Sequence, residues 1–178
     1  ARVSAEGSDE FALLARSFNQ MSAHLNGTFN MLGLLAELDR AIIQSSRFDA
    51  IVGILLEKLP GALPVSGARV ITFERGAGSV ACDQGAASAT CRMSTALRDT
   101  LDQLFIPPER AGCLWLNPGD ALHAGLARAL SFMPQDPLLA CPVWIDTQLH
   151  ALLMLAPSRV PGQAQAVMSA GRSLADRL

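Results

Sequence analysis

The sequence predicts an α+β chain in which a long N-terminal helix runs into an antiparallel sheet flanked by helices. Apolar residues between Phe11 and Ile42 recur at alternating steps of three and four, the period of a helix seam. Two apolar runs, 138–145 and 149–156, are parted only by Asp146, Thr147 and Gln148, the spacing of an antiparallel hairpin. From residue 48 onward the patterns read helix, two strands, helix, strand, helix, two strands, helix, which makes one sheet covered by helices.

A chain of 178 residues supports one core of ordinary size plus a separate helical element. With 50% hydrophobic and 17% charged residues the composition argues against disorder and for apolar surface that meets a partner. A formal charge of −2, with Lys58 the only lysine and the arginines scattered singly, gives no surface for nucleic acid and no basic patch for a membrane surface. No apolar run reaches the roughly 18 to 20 residues needed to span a bilayer, and no signal peptide is present. The chain starts at Ala1 in mid-pattern, as a piece of a longer protein would. Cys82, Cys91, Cys113 and Cys141 are too widely spaced for a C-x2-C zinc pair and too sparse for a disulfide scaffold, so reduced, buried thiols are expected.

The first element is carried by Phe11, Leu14, Phe18, Met21, Leu25, Thr28, Leu32, Leu35, Asp39 and Ile42. Steps of three and four average 3.5 residues, which keeps one seam facing a partner helix and imposes a left-handed supercoil. Ser8, Asp9 and Glu10 supply an N-cap and acidic side chains for the positive end of the helix dipole. Continued to about residue 44, the helix is on the order of 50 Å long, more than one small domain can bury, so the seam calls for a second, parallel copy of the chain. Thr28 and Asp39 interrupt the seam with polar groups. They either weaken it locally while fixing its register, or, at Asp39, mark where the helix leaves the coil and docks on the following domain.

Residues 8–21, with Asp9-Glu10, Phe11 and then Phe18-Asn19-x-Met21, resemble the second helix of a HAMP domain, although Ala12 stands where glycine is common. The resemblance divides the N-terminal region into a partial HAMP segment at 1–27 and a coiled-coil linker at 28–46. It implies relay of movement from a membrane or periplasmic sensor to a cytoplasmic output domain, on the cytoplasmic side of the bacterial inner membrane. The first HAMP helix and the preceding membrane span are not in the sequence.

In the globular part, 47–178, the apolar Ile51, Val52, Leu55, Leu56 and Leu59 predict a helix over 48–59 that Pro60-Gly61 ends. Val70, Ile71 and Phe73 mark a strand at 68–74, turned by residues 75–78 into a second near 79–83. A helix follows over 94–105, stopped by Pro107-Pro108. A short strand at 113–116 leads through Asn117-Pro118-Gly119-Asp120 into a helix carrying Leu122, Leu126 and Leu130. In the closing hairpin Pro142 lacks a donor and is expected at an edge or non-bonding position. Pro161-Gly162 then opens a last helix with Val167, Leu174 and Leu178 available for packing.

The run 137–145 followed by Ala151-Leu152-Leu153-Met154-Leu155 is similar to the closing hairpin of a GAF domain, with Ala151 where that family usually has glycine; a PAS-type sensor fold fits the same element order. The GAF resemblance implies that first and last helices pair across a dimer axis and continue into neighbouring coiled coils. Together with the linker 35–43, the chain looks like HAMP-GAF proteins that end in GGDEF and EAL domains of cyclic-di-GMP turnover, with a histidine kinase output as the competing resemblance.

A ligand pocket between sheet and helices would lie near Trp115 and His123. Against this, a lone histidine on an apolar helix is more often a packed residue. His150 is conceivable as a haem ligand and His24 as a solvated side chain of the coil. The Cys-His of bilin attachment and the NK-F-DE pattern of cyclic-nucleotide binding are missing. No nucleophile, base and oxyanion spacing appears, and no phosphate loop, so no catalytic residue, metal or cofactor is assigned. The expected function is signal relay through a parallel homodimer, with a small-molecule-sensing domain or a dimerising spacer as alternatives.

Overall fold

The structure is a computed structural model that describes residues 10–44, 47–74, 77–82, 100–101, 105, 112–130, 135–145, 148–158 and 164–178. Helix α1 spans Glu10–Gln44, 35 residues without interruption, as the heptads require. The proposed cap at Ser8 lies outside the described residues. Helix α2 spans Phe48–Ala62, so Pro60-Gly61 does not end it. The helix continues because Leu59 and Ala62 are buried, the Leu63 N–H closes the last turn on the Leu59 carbonyl, and Asn30 of α1 donates from Nδ2 to the Gly61 carbonyl at 2.9 Å. Those bonds satisfy carbonyls that a helix end leaves without partners.

Strand β1 covers Val65–Glu74 and β2 Ala77–Cys82, antiparallel with Val70 opposite Ala81. The helix expected over 94–105 lies mostly outside the described residues; Thr100 and Leu101 are helical, Leu101 and Phe105 are buried, and the Phe105 N–H bonds the Leu101 carbonyl at 3.0 Å. Strand β3, Leu114–Leu116, is followed by a turn in which the Asp120 N–H donates to the Asn117 carbonyl. Gly119 sits at φ 106° there, and proline before glycine is what a type II turn demands. Helix α3 spans Ala121–Ala129, β4 Leu138–Ile145, β5 Gln148–Pro157 and α4 Ala164–Ala175.

The sheet has the order β2-β1-β5-β4-β3, antiparallel at every pair. The closing hairpin is as expected, tighter by one residue, since Ile145 pairs with Gln148. Pro142 lies opposite Leu152 of β5, beyond the three residues of β4 that β3 covers, so one flank of the strand has no described partner there.

Alternation along the strands divides the core into two layers. Leu139, Cys141, Val143, Ala151, Leu153 and Leu155 face α1, α2 and α4, where Leu38, Leu55, Leu59, Val167 and Leu174 meet them. Leu138, Ala140, Leu152, Met154 and Ala156 face Leu126, Ala127 and Leu130 of α3 together with Leu101 and Phe105. The central strands are buried on both faces, which is why their sequences read as continuous apolar runs. No described helix is long and apolar enough to cross a membrane.

Cys113 and Cys141 correct one expectation. They form a cross-strand cystine, with Cα atoms 4.2 Å apart and a sequence separation of 28. The register that sets Leu114 against Ala140 puts Cys113 opposite Cys141, a juxtaposition that spacing along the chain does not reveal.

Candidate functional site

Helix α1 carries two apolar stripes. Leu34, Leu38 and Ala41 are buried in the core cluster that α1 shares with α2, α4 and one face of the sheet. About 100° or more around the helix from them, the predicted seam residues Phe11, Leu14, Phe18, Met21, Leu25 and Leu32 are exposed on the single chain, Phe11 at 79% and Leu14 at 66%, and Ile42, one turn on from Leu38, is exposed beside the buried stripe. An apolar row of this length left in water is costly, and scattered surface residues do not explain it. Phe29 and Ile43 are exposed one position off the seam, where they widen the stripe.

The remaining seam residues are not equivalent to these. Leu35 is half-buried against the domain core, so the seam converges on the domain at its C-terminal end. Thr28 donates its hydroxyl to the His24 carbonyl at 3.0 Å, within its own helix. The polar group thereby has a partner without any second copy. His24 itself is exposed. Asp39 accepts a charge-assisted hydrogen bond from Arg177, which follows α4 near the chain's C-terminus. Lys58 of α2 pairs with Glu37 of α1 at 3.6 Å, a further surface link between the two helices.

The two candidate pocket residues do not come together. Trp115, like Cys113, packs against the core cluster that holds residues of α1, α2 and α4. His123 belongs to α3, which covers the opposite face. The pleat that alternates Leu114, Trp115 and Leu116 between faces separates them. His123 is 1% exposed, and its Nε2 lies 2.7 Å from the Asp136 carbonyl. A carbonyl only accepts, so Nε2 carries the proton and donates, tying α3 to the segment before β4. His150 at the start of β5 meets Phe48 edge-on, ring centroids 5.2 Å apart, and so fastens the start of α2 to the sheet.

Among the described residues no three of histidine, cysteine, aspartate and glutamate gather in a way that could hold a metal ion. On the α3 face, the half-buried Trp144 has an indole Nε1 that is screened from solvent and meets no acceptor among the described residues. Sequence reasoning did not single out Trp144 or Arg177, because the screening of the Trp144 indole and the bond from Arg177 to Asp39 both arise from packing between segments far apart in the chain.

No protein-family model and no curated protein sequence matches the chain significantly. Solved structures do. The phycoerythrobilin-bound GAF domain of a cyanobacterial phytochrome superposes with a TM-score of 0.64 at 12% identity, covering 84% of this chain and 93% of that one. The GAF domain of A. aeolicus nlh2 in an inactive state gives 0.60 at 10% identity, covering 85% and 94%. The GAF domain of a Pseudomonas syringae pv. tomato protein described as a sensor histidine kinase gives 0.51 at 18% identity, covering 90% and 88%. At such identities the likeness lies in the arrangement of helices and strands, and on that ground the sheet and helices that follow α1 have a GAF-like fold.

Proposed function

We propose that this chain is a signal-relaying dimerisation module in which two copies lie parallel along α1 and pass a helix movement from a membrane or periplasmic sensor to a cytoplasmic output domain, in the first instance one of cyclic-di-GMP turnover. The observation that carries this reading is the exposed stripe of Phe11, Leu14, Phe18, Met21, Leu25 and Leu32 on a helix whose other apolar stripe is already buried in its own domain. A second copy related by a twofold axis along the seam covers each residue with its own counterpart, which is the self-complementarity a cyclic dimer needs. The heptad period supports a helical partner over a flat surface. The Asp39–Arg177 bond supports a path from α1 to the last helix, and thus from input to output. The solved GAF domains of a sensor kinase and a phytochrome support a sensory role for the fold. Output by a histidine kinase fits the same geometry.

The test is sedimentation of the full chain over a range of concentrations, joined to disulfide trapping of Leu25→Cys. A dimer that crosslinks Leu25→Cys to its own counterpart is the expected result. A lone protomer at high concentration, or crosslinking only to distant positions, overturns the reading.

A second reading, a small-molecule sensor, is favoured by Trp144, whose screened indole N–H would be satisfied by an acceptor on a ligand held against the α3 face. Native mass spectrometry of the full chain decides it: a co-purifying small molecule lost in Trp144→Phe supports the sensor, and an unliganded mass argues against it.

A further inference from the structure

We infer that Cys113 and Cys141 form a reversible thiol–disulfide site whose oxidation state is felt by helix α4. The pair is asymmetric. Cys113 precedes the edge strand β3 and is half-buried, whereas Cys141 in β4 is fully buried. A thiol reagent therefore reaches Cys113 first, and access of this kind decides which sulfur is attacked.

Helix α4 lies directly on this sulfur. A Cβ built on Gly171 would stand 2.8 Å from Cys141 Sγ, 3.2 Å from Leu155 Cδ1 and 3.3 Å from Leu139 Cδ2, so the helix backbone approaches the cystine as closely as glycine allows. Two unbonded sulfurs need more separation than two bonded ones. Reduction therefore asks for room at the place where Gly171 leaves none, and it also leaves β3 held by a ladder of only three residues. The relief available is a shift of α4 away from the sheet or a loosening of β3. Transmission of an α4 shift to α1 through Arg177 and Asp39 rests on the relay reading; the redox site itself does not.

The reductant is a dithiol. Its thiolate attacks the Cys113 sulfur, the S–S bond breaks, and Cys141 leaves as a thiolate that takes up a proton. The second thiolate of the dithiol then attacks its own sulfur in the mixed disulfide, releasing Cys113 as a thiol and closing the dithiol into a cyclic disulfide. The protein gains two electrons and two protons, and the dithiol loses them. A small disulfide runs the same exchange backwards. In a compartment kept reducing, such a pair reports a change of redox poise.

The experiment is an equilibration of the native full chain in mixtures of reduced and oxidised dithiothreitol, followed by alkylation and peptide mass spectrometry. Hydrogen exchange is measured on the same samples. Cys113 and Cys141 are expected to become alkylated together, as one two-electron step, and to return to a crosslinked peptide on reoxidation. Amide protection across 164–178 is expected to fall roughly tenfold on reduction. Cys113→Ser is expected to show the lower protection without reductant and no further response to it; if that variant does not fold, the reduced wild type carries the comparison. The inference is overturned if the oxidised protein yields no Cys113–Cys141 peptide, if the pair is reduced only after denaturation, or if α4 exchange is unchanged on full reduction. Dimerisation is read independently by sedimentation, so a failed redox site and a failed relay are told apart.

Discussion

Arg177 donates to the Asp39 carboxylate across 138 residues of sequence, joining the end of the chain to the long helix at its beginning. Both side chains are partly exposed, so the pair contributes little to stability, about 0 to 1 kcal/mol. Its value lies in position. On the proposed relay reading, Arg177→Ala is expected to leave the urea midpoint nearly unchanged while altering the output of a protein that carries this segment, and Asp39→Leu is expected to do the same with tighter self-association. Unchanged output in both variants would remove this contact from the relay.

Gly171 predicts a steric cost. Its Cβ would stand 2.8 Å from a sulfur fixed in a cystine and close to the terminal methyls of Leu155 and Leu139, both held in the core. Gly171→Ala should gain about 1 kcal/mol in helix propensity and lose about 1 to 3 kcal/mol to overpacking, for a net destabilisation by denaturant titration. A more stable variant would mean that α4 sits further from the sheet.

The two stripes of α1 should separate in mutagenesis. Leu38 is fully buried in the domain core, so Leu38→Ala should cost about 2 to 5 kcal/mol in unfolding free energy. Leu25 is 47% exposed, so Leu25→Ala should leave the folding of the protomer almost untouched and raise the dimer dissociation constant. Equal effects on folding from both would show that the seam is buried within the protomer.

His123 is expected to act as a strut. His123→Leu removes the bond to the Asp136 carbonyl and should destabilise by about 1 to 3 kcal/mol, read by thermal or urea unfolding. Retained stability together with lost binding of a co-purified ligand would assign it to a ligand site instead.

The seam and the sheet were legible from local pattern to different degrees. A repeat of three and four defines α1 because that period belongs to the helix backbone itself, and two apolar runs around a short polar gap define β4 and β5 because strands buried on both faces carry apolar residues at successive positions. Proline and glycine misled at the end of α2, where burial of Leu59 and Ala62 and a bond from Asn30 outweigh a helix-breaking pair.

The sequence by itself determined that a long helix with an apolar seam precedes an antiparallel sheet, since each of these follows from the order of residues within a few turns or strands. Only the tertiary structure decided that Leu34, Leu38 and Ala41 bind the helix to the domain, that Cys113 meets Cys141, that Trp115 and His123 lie on opposite faces, and that Arg177 reaches Asp39. These depend on strand register and on which layer covers which face, quantities fixed by the summed packing of residues remote in sequence and carried by no local period.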